Sequence, residues 1–334
     1  MVLVEVSAAG CVGVGWTYGH TAAALLIDDI LSAVVRGRAV ADVAASWSAM
    51  VDAIRNLGHA GVGASAVAAV DTALWDLKAR VLGIPLADLL GRAVPDAAVY
   101  GSGGFTSYGD EGLRDQLGAW AGDGFGAVKL KVGRQPHEDV ERVRIVRQAV
   151  GPDVEIYVDA NGAYGRKQAL AFAEDVAGLG VTWFEEPVSS DDLDGLRFLR
   201  ARIPAGMDVA AGEYGSDSFY FRRMLDAGAV DVLQADVTRC AGITGFLHVA
   251  ALAAAASIPL SAHTSPTLHI APCCAAAGVK NIEWFHDHVR IEGLVLDGAP
   301  QPVNGRLAPD PNAVGIGVDV KWSDIDRWVV WSSQ

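Results

Sequence analysis

Apolar positions in this chain follow two periods, and the change from one to the other divides it. The opening run Val2–Val6, followed by Gly10, Gly13 and Gly15, predicts strands joined by a turn. Alanine-rich stretches with helical spacing come next. The clearest is Ser65–Leu82, where Val70, Leu74, Leu77 and Val81 recur at threes and fours before Gly83 and Pro85 close it. From Ala98 a different rhythm begins. Short apolar runs at Ala98–Ser102, Ala127–Val132, Val154–Asp159, Val181–Glu185, Asp208–Glu213, Val230–Asp236, Ile258–His263 and Asn281–Phe285 alternate with helical patterns. Eight strands alternating with helices predict an α/β protein built on a (β/α)8 TIM-like barrel. The expected organisation is an α+β capping domain over 1–93, the barrel over 94–300, and a tail over 301–334 that packs back on the cap through Val318–Val330.

One of those strands breaks the apolar rule. Residues 127–133 read AVKLKVG, so Lys129 and Lys131 project to one side while Val128, Leu130 and Val132 share the other. Alone, this is most simply a strand with one wet face. The functional alternative places two ammonium groups in one pocket, where each lowers the other's pKa.

Composition narrows the choice. Half of the residues are apolar and the net charge is −14, which argues against a nucleic-acid or membrane-surface partner and leaves room for a small-molecule substrate. Cys11, Cys240, Cys273 and Cys274 show no metal-binding spacing and read as free thiols in a reducing, cytoplasmic compartment. Gly61-Val-Gly63-Ala-Ser-Ala66 imitates a dinucleotide fingerprint, but no buried strand precedes it.

Polar residues then recur where the barrel strands end. Lys129 and Lys131 close the second strand and Asp159 the third. Glu185, Glu213, Asp236 and His263 follow on the fourth to seventh, and Glu283 lies in the eighth. Successive positions from Lys131 onward lie about 20–28 residues apart, one strand–helix unit each, so all reach one rim, where active sites form in this fold. Each has a plain structural reading as turn, cap or core residue. Those readings together give no reason for an ionisable group on seven successive strand ends. Asp159, Glu185 and Glu213 suit a hard divalent cation such as Mg²⁺. Lys129 and Lys131 supply positive charge for a carboxylate substrate, and Asp236 can fix the tautomer of His263 and make its ring more basic. A metal, Lys129 and a protonated Glu283 together would stabilise the enediolate formed by removing a proton α to a carboxylate.

The ordered motifs Lys129-Leu-Lys131, Val158-Asp159-Ala-Asn161, Trp183-Phe-Glu185-Glu186-Pro187, Ala211-Gly212-Glu213, Gln234-Ala-Asp236, Ser261-Ala-His263 and Ile282-Glu283-Trp284 resemble the enolase superfamily. Within it they resemble the mandelate racemase subgroup of mandelate racemase and muconate lactonizing enzyme-like proteins. The resemblance implies Mg²⁺ on Asp159, Glu185 and Glu213, acid/base roles for Lys131 and the His263–Asp236 pair, and enediolate stabilisation by Lys129 and Glu283. It assigns supporting places to Asn161 and Glu186; Ser102 and Arg239 are further candidates near substrate. It also implies a homo-oligomer acting on a small carboxylate, an acid sugar or a 2-hydroxy acid. Acid-sugar dehydration (a lyase activity) is the favoured reading, racemisation or epimerisation (an isomerase activity) the alternative, and a catalytically silent barrel the third. Related cycloisomerases and dipeptide epimerases carry a lysine ending strand six, where this chain has Asp236, and are disfavoured. Family members begin with a further strand and a loop closing over the substrate, so an upstream segment is expected.

Overall fold

The computed structural model describes residues 1–333. Strands β1 (Val2–Ala8) and β2 (Cys11–Thr17) form an antiparallel pair whose turn falls at Ala9-Gly10. Gly13 and Gly15 belong to β2, not to a turn. A Cβ on either would meet the backbone of Ala73 or Ala69, at 2.4 and 2.3 Å respectively, so glycine lets β2 press against the helix Val62–Leu82. That helix ends as predicted, with Gly83 in the left-handed conformation at φ 68°. Val2, Leu31, Met50, Ile54, Val67 and Val70 make the core of this cap.

The eight barrel strands are β3 (Ala97–Gly103), β4 (Ala127–Lys131), β5 (Glu155–Asp159), β6 (Val181–Glu185), β7 (Asp208–Ala211), β8 (Val232–Ala235), β9 (Leu260–Ala262) and β10 (Val279–Phe285). All pair in parallel, and β10 returns to β3 to close the ring. Outward positions such as Val128, Leu130, Ile156, Val158, Phe184 and Leu233 pack under the helices. The helix Leu193–Arg200 shows the logic. Asp192 caps its start by accepting from the Gly195 N–H at 3.0 Å, Leu196 and Leu199 face the barrel, and Arg197 and Arg200 lie in the basic last turn. Burying each such leucine stabilises the fold by roughly 1.5–3 kcal/mol.

The tail visits the barrel before the cap. Strand β11 (Arg306–Leu307) adds antiparallel to β3. Beyond it the Ile316 N–H donates to Asp76 at 2.7 Å, Arg80 donates to the Val318 carbonyl at 2.5 Å, and the Trp322 indole donates to Glu5 at 3.1 Å. No helix among the described residues is long and apolar enough to cross a membrane.

Candidate active site

Inward positions on the barrel strands stack two levels of side chains. The lower holds Tyr100, Ala127, Tyr157, Trp183, Ala210 and Val232. Two residues further along, where the pleat again points inward, stand Ser102 on β3, Lys129 on β4, Asp159 on β5, Glu185 on β6 and Gln234 on β8. Lys131 lies at the end of β4, in register with Asp159. Glu213, Asp236 and His263 sit one or two residues beyond their strands, on the same rim. Gly212 makes the turn before Glu213 possible: it adopts φ 136°, and a Cβ there would lie 2.2 Å from the Gln234 carbonyl oxygen.

Asp159, Glu185 and Glu213 each offer an oxygen within 4.8 Å of the others, and all three are buried. Each is answered by a cation. Lys131 donates to Asp159, Lys129 donates to both oxygens of Glu185 at 2.8 and 2.7 Å, and Arg239 reaches Glu213 at 3.2 Å. Glu213 Oε2 is buried with no hydrogen-bond partner, although His263 Nε2 lies 3.3 Å away off the hydrogen-bond axis. Three clustered hard oxygen donors, one of them orphaned, fit a divalent cation such as Mg²⁺. The indole of Trp183 donates to Glu185 at 3.1 Å and fixes that carboxylate from below.

The two lysines differ in access. The Lys129 side chain is fully enclosed, committed to Glu185 and to Glu283 at 2.8 Å, whereas that of Lys131 retains 17% exposure. The expectation that they lower each other's pKa is overturned. Burial pushes both down, but Glu185 and Glu283 raise Lys129 well above its ordinary value, and Asp159 outweighs Lys129 in raising Lys131. Carboxylates outnumber ammonium groups here, so each ammonium is held ionised.

On the opposite arc, Asp236 Oδ2 lies 2.9 Å from His263 Nδ1, while the Thr238 N–H and hydroxyl both donate to Asp236 Oδ1 at 2.7 Å. Nδ1 donates to Asp236, which leaves Nε2 toward the site. Burial lowers the ring's pKa, but the carboxylates of Glu213 and Glu283 lift it to about 10. Glu283 accepts from Lys129 and from the Thr264 N–H at 2.9 Å. Burial raises it, but Lys129 and then His263 bring it down to about 2, so this arrangement holds it ionised where the sequence suggested a protonated acid. Glu186 is buried with Oε1 unpaired, and desolvation, then Glu213, pushes it up to about 9. Ser102 is buried with an unpaired hydroxyl, Asn161 is exposed beside Lys131, and Arg239 reaches Asp236 as well as Glu213.

Several contributors escaped the sequence reading. His269, buried on the helix Pro266–Ala275, accepts from the Val237 N–H at 2.9 Å and contacts the Thr264 carbonyl at 2.9 Å. It thereby ties the loop after Asp236 to the loop after His263. Gln234, which the sequence reading quoted in the Gln234-Ala-Asp236 motif without giving it a role, is buried with both amide atoms unpaired. No local pattern marks His269, because its partners lie on other segments of the chain.

Comparison with known proteins identifies the family. The family described as mandelate racemase / muconate lactonizing enzyme, N-terminal domain, matches residues 1–91, and that described as enolase C-terminal domain-like matches residues 112–324. A mandelate racemase/muconate lactonizing enzyme-like protein from Rubrobacter xylanophilus superposes with a TM-score of 0.95 at 49% identity, covering 97% of this chain and 90% of that one. An L-talarate dehydratase from a Polaromonas species, solved with Mg and L-glucarate, has a TM-score of 0.88 at 27% identity, covering 98% of this chain and 90% of that one. The 3,6-anhydro-alpha-L-galactonate cycloisomerase of Streptomyces coelicolor is 34% identical over 96% of this chain and 89% of its own length. The L-rhamnonate dehydratase of Saccharopolyspora erythraea is 31% identical over 95% and 82%. Relatives named cycloisomerase thus stand beside those named dehydratase. The chain is an enzyme of the enolase superfamily, with the paired domains of the mandelate racemase and muconate lactonizing enzyme group.

Proposed function

We propose that the protein removes the proton α to the carboxylate of an acid sugar and expels the β-oxygen, acting as an acid-sugar dehydratase. The observation that carries this reading is the placing of Lys131 and the His263–Asp236 pair on well-separated arcs of one rim, with three carboxylates between them. Asp159, Glu185 and Glu213 would hold Mg²⁺, which when bound supplies positive charge against the substrate carboxylate. Lys131, the more accessible lysine, takes the α-proton once a neutral amine is available. As the Cα–Cβ double bond forms, the Cβ–O bond breaks, and His263 gives its Nε2 proton to the departing oxygen. A free hydroxyl leaves as water, and the resulting enol becomes a 2-keto-3-deoxy acid. Asp236 balances the imidazolium charge before transfer. Lys129, committed to Glu185 and Glu283, contributes through its field on the enediolate. Donation by Glu283 requires that it take up a proton as the substrate's charge arrives.

Racemisation or epimerisation is the second reading, favoured by the same pair of groups: one removes the proton and the other returns it on the opposite face. Incubating acid sugars and 2-hydroxy acids with the protein and Mg²⁺ in D₂O separates the two. A 2-keto-3-deoxy product supports dehydration, and deuterium incorporation with inversion supports racemisation. Ligand binding without any α-exchange would reject both.

A further inference from the structure

We propose that His288 is a specificity-determining residue that presents a fixed N–H donor to a hydroxyl or carboxylate oxygen on the distal carbons of the substrate. It thereby selects polyhydroxy acids over acids with apolar side chains. This rests on the reading of the site as one for carboxylate substrates.

His288 lies in the first turn of the helix His286–Val295, directly after the strand that carries Glu283. The Ser265 N–H donates to His288 Nδ1 at 3.4 Å, and the Ser265 hydroxyl lies 3.3 Å from the same nitrogen. A backbone N–H can only donate, so Nδ1 is an acceptor and the ring proton resides on Nε2. The charges of Asp236, His263 and Glu283 all act on this ring, which places it beside the His263 side of the site. Nε2 has no hydrogen-bond partner among the described residues, yet it is not among the buried unpaired atoms, and the ring is only half-buried. The donor is therefore open to solvent.

Its direction is fixed from both sides. The Tyr18 ring stacks on His288 with centroids 3.5 Å apart and planes 13° apart, and Phe285 meets it edge-on at 5.2 Å. Tyr18 is itself held: its hydroxyl donates to Glu292 at 3.3 Å, and Thr267 donates to the other Glu292 oxygen at 2.6 Å. Tyr18 thus acts as a positioning residue, contributed by the cap to a barrel side chain. Burial, the largest influence, pushes the His288 pKa down to about 4 against the pull of Asp236. A neutral ring donates without adding a competing cation beside His263. An acid ending in a methyl or aryl group would cover this N–H and leave it unpaired, which a polyhydroxy chain avoids.

The test measures calorimetric Kd on the Mg²⁺-loaded full chain for a six-carbon aldonate and for lactate, in the wild type, H288Q, H288L and Y18F. H288L weakens aldonate binding about 10–100-fold. H288Q, whose amide nitrogen sits close to the position of Nε2, stays within a few-fold, and Y18F shows a smaller loss in the same direction. Lactate loses no affinity in any variant. In turnover, the H288L loss falls on KM more than on kcat. Equal losses for both acids, or no loss with the aldonate, overturn the inference, and thermal unfolding of each ligand-free variant identifies a folding defect. Should H288L fail to fold, Y18F carries the same comparison. A wild type that binds neither acid overturns the site reading as well. Wild-type α-exchange combined with unchanged aldonate affinity in H288L and Y18F overturns this inference alone.

Discussion

The lower and upper levels of the barrel interior use the same strands, two residues apart, and carry opposite chemistry. Below, Tyr157 and Trp183 stack with centroids 4.9 Å apart, and Tyr100 leans on Tyr157 at 5.1 Å. Above, the same β3, β5 and β6 strands carry Ser102, Asp159 and Glu185. Both levels are almost wholly buried, so burial alone does not distinguish them. Aromatic burial stabilises the lower level, whereas the upper level holds desolvated charges whose mutual attraction must offset a cost of several kcal/mol per ion. The levels meet where the Trp183 indole supports Glu185. A stable floor holds an energetically expensive rim in place.

The largest effects should come from the rim and fall on chemistry, not stability. H263N and K131M are each expected to lower α-proton exchange about 10²–10⁴-fold, each from one stereochemical face only. Deuterium exchange resolved by face checks this, and equal loss from both faces would contradict the two-group assignment. On the floor, W183A should destabilise the fold by about 3–5 kcal/mol in urea unfolding, as expected for a buried aromatic. A loss below about 1 kcal/mol would remove the floor's claim to hold the rim.

A carboxylate buried away from the rim sharpens the contrast. Asp71, on the cap helix, accepts from the Thr244 N–H at 2.9 Å and from its hydroxyl at 2.7 Å, with no cation paired to it among the described residues. Burial raises its pKa from 3.8 to about 7. Between those values the folded state binds more protons than the unfolded one, so this group's contribution to stability falls as pH rises through that window. The change amounts to a few kcal/mol at most. The unfolding free energy across pH 4–7 should fall more steeply in the wild type than in D71N, and parallel curves would refute the assignment. The smallest expected effect is on the rim's stability. Mg²⁺ at about 100 times its Kd should stabilise the protein by roughly 2.7 kcal/mol, seen as a rise in Tm, and E185Q or E213Q should abolish that rise. An undiminished rise in both variants would place the ion elsewhere.

Much of this architecture was legible in the order of residues. The predicted strand Val181–Glu185 coincides with β6, and the others differ from the observed strands by at most two residues at either end. The helix closing at Gly83 and the tail's return to the cap were legible too. What escaped were residues defined by partners remote in sequence. Tyr18 meets Glu292 across 274 positions, and Asp71 meets Thr244 across 173. His269 carries no local signature of its bridging position.

The sequence by itself determined the barrel, its rim and the carboxylate triad, because strand and helix periods are local and one strand–helix unit fixes the spacing between strand ends. Only the tertiary structure decided the charge states and access of those groups. Lys129 and Lys131 are held ionised, not neutralised by each other, because carboxylates from neighbouring strands converge on them. Lys129 is sealed and Lys131 open for the same reason: a side chain's field and exposure are sums over everything that surrounds it in space.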